Sequence, residues 1–264
     1  MSTSNSYQGL RIPSFLGLGT QRAATTWVHN CLKEHPQVFM PDIKELAFFD
    51  LNYDKGQAYY ESFFKGATGN EVIGEITPDY IFCEACPERI SRHLPNVKVF
   101  VILRNPIDRA FSAYKFFGHK HPGLSFEQAI ENEPSILAKG LYYEQLQRYF
   151  LYFDQKSFLV LFYEDLMENN LRVIQEIYRV IGVDSSFLPS WIGKVSNTKI
   201  FPGISSKLEA MHLSWLLKKT KQSFIWGSFS ANHPEKKEET QGYPQPKDTR
   251  PTSRLLQGAK PSPG

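Results

Sequence analysis

The chain has 264 residues, enough to bury a sizeable core, and that length favours one α/β domain over two small ones. With 41% hydrophobic and 22% charged residues, its composition is that of a folded globular protein rather than a disordered or fibrous one. A formal charge of +3 argues against a nucleic-acid coat protein and leaves room for a local basic pocket for an anionic ligand.

Residues 1–7 are polar and lack the basic-then-apolar pattern of a leader, and no run approaches the roughly 20 apolar residues that cross a bilayer. Cys31, Cys83 and Cys86 cannot all pair within the chain, and no Asn-x-Ser/Thr sequon occurs. Both features point to a reducing, cytoplasmic setting.

Residues 1–12 read as an extension ahead of the domain. In chain order, the pattern then predicts a strand over 14–19, helices over 26–34 and 57–65, a strand over 72–76 and a helix over 85–94. A strand over 97–103, helices over 107–118 and 141–153, a strand over 158–162 and helices over 164–181 and 205–218 follow. Repeated strand-then-helix order implies a single domain with a central parallel sheet flanked by helices, laid out like a P-loop nucleotide kinase. The run Val99-Phe-Val-Ile-Leu103 has no alternation, as a strand buried on both faces requires. From Asn232 onward Pro, Gly, Lys, Glu and Thr dominate, so the domain is expected to span 13–229 and a disordered or truncated tail 230–264.

Chemistry concentrates at two strand ends. In Phe15-Leu-Gly-Leu-Gly-Thr-Gln-Arg-Ala-Ala-Thr-Thr-Trp27 an apolar strand runs into a loop of small residues and then a helix. Such a loop aims backbone N–H groups and a helix N-terminus at one point, which suits a phosphate. Arg22 adds a fixed charge, and Thr25 and Thr26 add hydroxyls, although either threonine could simply cap the helix. Aligned from Gly19, Ala24 and Thr25 stand where a nucleotide-kinase loop needs Gly-Lys, and no obvious strand-end Asp waits for magnesium. The loop wants a phosphate but not a metal. In Lys98-Val-Phe-Val-Ile-Leu-Arg-Asn-Pro-Ile-Asp-Arg-Ala-Phe-Ser-Ala-Tyr114, Arg104 ends the buried strand, and Arg109 and Ser112 share a face of the next helix. An Arg and a Ser there make a second anion pocket at the carboxyl edge of the sheet, where α/β ligands bind.

These two segments resemble the 5′-phosphosulfate and 3′-phosphate motifs of the sulfotransferase superfamily, the second being the more specific. Pro41-Asp-Ile-Lys-Glu-Leu-Ala-Phe-Phe-Asp50 and Gly74-Glu-Ile-Thr-Pro-Asp-Tyr80 are similar to segments of its bacterial and heparan-sulfate-type branch, and Gly140-Leu-Tyr-Tyr143 and Tyr163-Glu-Asp-Leu166 fall in register. The resemblance covers roughly 15–201. It implies 3′-phosphoadenylyl sulfate (PAPS) as donor and adenosine 3′,5′-bisphosphate as product, with no metal. Donor-binding residues would be Arg22, Ala23, Ala24, Thr25, Thr26, Trp27, Arg104 and Ser112, and a basic loop within 194–207 would cover the donor. Arg22 stands where the family usually has Lys, which keeps the charge and changes its geometry. Arg22 would also stabilise the leaving oxygen, while Glu45 would be the general base, its pKa raised by half-burial against Phe48 and Phe49. A surface pair of Lys44 and Glu45 is the competing reading, and His93, followed by Leu-Pro, is the alternative base. The acceptor would be a hydroxyl or amine of a carbohydrate, lipid, carrier-bound or small molecule. The other functional readings are a nucleotide kinase or nucleotide-binding regulator and a catalytically impaired relative. Cys83-Glu-Ala-Cys86 lacks partner ligands for zinc and is placed at a helix start.

Overall fold

The computed structural model describes residues 12–69, 71–118 and 122–194. Its strands are β1 (Phe15–Gly19), β2 (Val38–Phe39), β3 (Val72–Ile76), β4 (Lys98–Leu103) and β5 (Phe158–Phe162). All pair in parallel, in the order β2-β3-β1-β4-β5. The helices are α1 (Thr25–Glu34), α2 (Gln57–Glu61), α3 (Cys86–His93), α4 (Pro106–Phe116), α5 (Phe126–Asn132), α6 (Ser135–Ala138), α7 (Tyr142–Phe150), α8 (Tyr163–Glu168) and α9 (Asn170–Ile181).

The period of two along the central strands divides the core. Leu16 and Leu18 of β1 and Val99, Val101 and Leu103 of β4 face one side, against Ile90 of α3 and Leu146 and Tyr149 of α7. Phe15, Phe100 and Ile102 face the other, against Val28 and Leu32 of α1 and Ile174 and Ile177 of α9. Both faces being covered, the expected α/β architecture with a P-loop-kinase-like parallel sheet is what the chain adopts. Connections from β1 lead toward β3 and β2, those from β4 lead the other way, and the loops after β1 and β4 therefore flank the crevice where the winding reverses.

Several boundaries differ from the sequence expectation for local reasons. The helix expected over 164–181 is two helices, because Asn169 leaves helical geometry at φ −147° and its side chain accepts from the Arg172 amide to start α9. The helix expected over 57–65 ends at Glu61 and continues as a 3₁₀ turn, Ser62–Phe64. The two-residue β2 and the short α5 and α6 were not expected, although Ser125 and Gln128 form a capping box that marks the start of α5. The helix expected over 205–218, most of the extension 1–12, the end of the domain at 229, the tail 230–264 and the covering loop beyond Lys194 lie outside the described residues.

Candidate active site

The turn between β1 and α1 is held open by its backbone. Arg22 and Ala24 both have positive φ, 74° and 60°. Ala24 occupies the position before α1, and no side chain caps that helix. Neither Thr25 nor Thr26 serves as the cap, so the first N–H groups of α1 point toward the loop with the positive end of the helix dipole behind them. Ala23 is buried and its amide donates to the Thr20 carbonyl at 3.2 Å, so it supports the turn from beneath. The indole N–H of Trp27 donates to the Trp191 carbonyl at 2.9 Å.

The end of β4 meets this turn directly. Nη1 of Arg104 donates to the Arg22 carbonyl at 2.9 Å, and Nε of Arg22 donates to Oγ of Ser112 on α4 at 3.1 Å. The guanidinium of Arg22 lies 4.2 Å from the Phe116 ring centroid, and that of Arg104 lies 4.4 Å from that of Tyr163. Burial, and then the adjacent Arg104 charge, pull the Arg22 pKa down, as expected where two cations crowd together. One helical turn from Ser112, Arg109 is fully buried, with Nη2 donating to the Ile136 carbonyl and Nε and Nη1 left without partners. Among the described residues no carboxylate pairs with Arg22, Arg104 or Arg109.

A third wall comes from the 44–49 turn. Glu45 and Ala47 have φ of 65° and 51°, so this turn and the Arg22 turn hold every non-glycine residue of positive φ among those described. Backbone strain of this kind costs on the order of 1–3 kcal/mol per residue and persists where surrounding contacts enforce it. Here the contacts come from β3 and the turn after it: the Glu45 amide donates to the Ile76 carbonyl, Ala47 N to Thr77 Oγ1 and Phe48 N to Tyr80 Oη. The expected half-burial of Glu45 against Phe48 and Phe49 is not what forms. Those rings enter the core with Tyr60, whereas the Glu45 side chain is 54% exposed and pairs with Lys44.

Beneath the turn lies a carboxyl group that the sequence reading passed over. Glu75 is buried and accepts hydrogen bonds from Tyr60 Oη at 2.7 Å, Tyr80 Oη at 2.8 Å and Thr77 Oγ1 at 3.0 Å. Burial pushes its pKa up to about 7 and outweighs the opposing pull of the three hydroxyls. Its signal was present in Gly74-Glu-Ile-Thr-Pro: a Glu inside an apolar strand needs partners. His93, the alternative base, lies apart from these groups, against Phe48 and Phe49, with Nε2 2.9 Å from Tyr53 Oη.

The three walls enclose a cavity of about 870 Å³, of the size that takes a nucleotide-like ligand. Arg22, Ala24, Thr25, Thr26, Trp27, Arg104 and Ser112 reach it, as do Arg109, Phe116 and Phe117, and Ala23 does not. Glu45 lies on its rim with Asp79, whose carboxylate pairs with Lys139 at 2.8 Å. Lys194, where the covering loop was expected to begin, also lines it.

A parallel sheet whose β1–α1 loop and β4 end meet at one cavity is a doubly wound α/β layout, in which ligands bind at the carboxyl edge of the strands. The sulfotransferase domain family matches residues 13–225, and the chain belongs to that family. It is 33% identical over 138 residues to the membrane-associated sulfotransferase kil1 of Dictyostelium discoideum, covering 48% of this chain and 29% of that protein. It is 29% identical over 182 residues to heparan sulfate glucosamine 3-O-sulfotransferase 6 of Mus musculus, covering 66% and 53%. The chain thus spans about half, or less, of these relatives' length. The fold is shared with a sulfotransferase from Alicyclobacillus acidocaldarius (TM-score 0.68, 23% identity, 80% of this chain and 95% of that one). A sulfotransferase domain from the curacin biosynthetic pathway also shares it (TM-score 0.52, 16% identity, 71% and 79%). Family membership sets aside the nucleotide-kinase alternative. Among the described residues, no helix is long and apolar enough to cross a membrane.

Proposed function

We propose that the protein transfers a sulfuryl group from PAPS to a hydroxyl or amine, releasing adenosine 3′,5′-bisphosphate. The observation that carries this reading is the meeting of Arg22 and Arg104, neither paired with a carboxylate among the described residues, at one cavity beside the uncapped start of α1, with Arg109 buried behind its wall. A buried cation without an internal counter-ion is costly unless an anion fills the space, and a doubly phosphorylated adenosine supplies two. The α1 amides and Arg22 suit the 5′-phosphosulfate, and Arg104 with Ser112 suits the 3′-phosphate. Arg22 would then face the bridging oxygen as charge develops on it, an interaction worth most at the transition state.

Glu45, on the cavity rim, is the proposed base. It would take the acceptor proton as the sulfur–acceptor bond forms and the bond to the phosphate oxygen breaks. Exposure keeps this carboxylate reachable by an incoming acceptor, and Lys44 orients it. Carbohydrate acceptors, such as those named for the heparan sulfate relative, are the first class to assay. The test combines calorimetry with transfer of labelled sulfate from PAPS to an acceptor panel. Adenosine 3′,5′-bisphosphate should bind without magnesium and far more tightly than ATP, and Glu45→Gln should lower transfer by about 100-fold or more while leaving that affinity unchanged. Equal binding of ATP would overturn the donor assignment. Full activity of Glu45→Gln would overturn the base, and donor binding without transfer to any acceptor would mark an impaired relative.

A further inference from the structure

We propose that Glu75 is a positioning residue for the transfer reaction: through the Thr77 and Tyr80 hydroxyls it fixes the strained 45–49 turn that presents Glu45 at the cavity rim. The proposal rests on the reading of Glu45 as the base, and it gives a task to a buried carboxyl set beneath the site rather than in it.

Three observations carry it. First, the turn needs a hold from outside itself. Glu45 and Ala47 both have positive φ, and backbone of that kind persists only where contacts enforce it. Second, two of those contacts are hydroxyls that bond in one direction. The Ala47 amide donates to Thr77 Oγ1 at 3.3 Å, and Thr77 Oγ1 donates to Glu75 Oε2 at 3.0 Å. The Phe48 amide donates to Tyr80 Oη at 2.9 Å, and Tyr80 Oη donates to Glu75 Oε1 at 2.8 Å. A hydroxyl has one proton, and an ionised carboxylate can only accept. Glu75 therefore takes both protons and leaves both oxygens facing the turn as acceptors. Third, Glu75, Thr77 and Tyr80 are all buried, so water is a poor substitute for any member of the chain.

The same anchor reaches a second part of the wall. Pro78 and Asp79, between the two hydroxyl-bearing residues, line the cavity, and Asp79 pairs with Lys139. This segment is tied to β1, the Thr77 amide donating to the Gly17 carbonyl at 3.1 Å and the Ile81 amide to the Leu18 carbonyl at 3.0 Å. Tyr60 on α2 gives Glu75 a third bond, at 2.7 Å, and its ring stacks on Phe48. Tyr60→Phe keeps that ring and removes a bond that does not lead to a turn amide, which makes it an internal control. Because a base works only within hydrogen-bond reach of the proton it takes, a turn that drifts costs rate without loosening the donor.

The experiment uses the full chain at pH 8, above the value of about 7 to which burial raises Glu75. Hydrogen exchange read on peptides across 45–49 reports the turn. Labelled sulfate transferred from PAPS to heparan sulfate and to water reports turnover. Tyr80→Phe and Thr77→Val should each speed exchange in the turn and lower kcat by about tenfold, with adenosine 3′,5′-bisphosphate bound as tightly as by wild type. Thr77→Ser should restore slow exchange, and Tyr60→Phe should leave both readouts within about twofold of wild type. Glu75→Leu should show both losses; where it does not fold, the two hydroxyl variants decide. In a Glu45→Gln background the kcat losses should vanish, because the effect passes through that carboxylate. Unchanged exchange in the hydroxyl variants, an equal response to Tyr60→Phe, or kcat losses of the same size with Glu45→Gln would each overturn the proposal. If Glu45→Gln alone matches wild type, the base reading fails, and the exchange result then decides by itself whether Glu75 holds the turn.

Discussion

Replacing Glu75 by glutamine should remove a pH dependence of stability that originates in one buried carboxyl. The native pKa is raised from 4.5 to about 7 by burial. Between those values the folded chain binds a proton that the unfolded chain has lost, so stability falls as pH rises. The contribution is fully present below about 4.5 and is lost as pH climbs through about 7. A difference of about 2.5 in pKa corresponds to about 3 kcal/mol, at about 1.4 kcal/mol for each pH decade. The side-chain amide in Glu75→Gln keeps one oxygen for Tyr60 and Tyr80 and one polar group toward Thr77, reproducing the protonated acid without its titration. Urea denaturation of both proteins from pH 5 to pH 8 reads the effect as a midpoint shift of about 1 M or more. The variant should match or fall slightly below wild type at pH 5 and exceed it at pH 8. A gap between the two proteins that stays constant across the range would refute the assignment, because it would mean that Glu75 does not change protonation there.

Packing and the coupling of the anion pockets give two further tests. Gly17→Ala in β1 would bring a methyl within 2.8 Å of Ile76 Cγ1 and of Phe100 Cζ, and thermal denaturation should show a loss of about 1–3 kcal/mol. Ser112→Ala removes the acceptor for Arg22 Nε from a site 3% exposed, so titration calorimetry should find adenosine 3′,5′-bisphosphate bound about tenfold more weakly, with little change in melting temperature.

How much of this was legible in the sequence follows from the range of the forces involved. The buried strands β1 and β4 read directly, since a continuous apolar run reports burial on both faces without knowledge of any partner. Arg22 and Arg104 were expected to meet an anion because they follow the ends of apolar strands, and Ser112 because it shares a helix face with Arg109; the structure brings these residues to one cavity. What could not be read was decided across the fold. Glu45 was expected to be half-buried from its nearness to Phe48 and Phe49, yet the turn sends those rings inward and the carboxylate outward, a choice made by hydrogen bonds from residues 30 or more positions away. Glu75 owes its role to the same Thr77 and Tyr80 hydroxyls, which join it to that turn. Asn169 broke a helix whose apolar spacing continued through it, because capping is a single-residue effect that periodicity does not register.

The arginine at position 22 gains a physical rationale from this geometry. An ammonium group at that position would have to make its contacts to Ser112 and to a ligand from one nitrogen. The guanidinium divides the two tasks: Nε is held by Ser112, the flat face rests on Phe116, and the two Nη groups take no partner among the described residues. Arg104 fixes the opposite side of the same turn through the Arg22 carbonyl, so the loop after β1 and the end of β4 hold each other in place before any ligand arrives. The cost is visible in the lowered pKa of Arg22 and in the positive φ that places it there. Among the described residues no carboxylate pairs with either of these two neighbouring cations, and if the proposed donor binds there the melting temperature should rise as adenosine 3′,5′-bisphosphate is added.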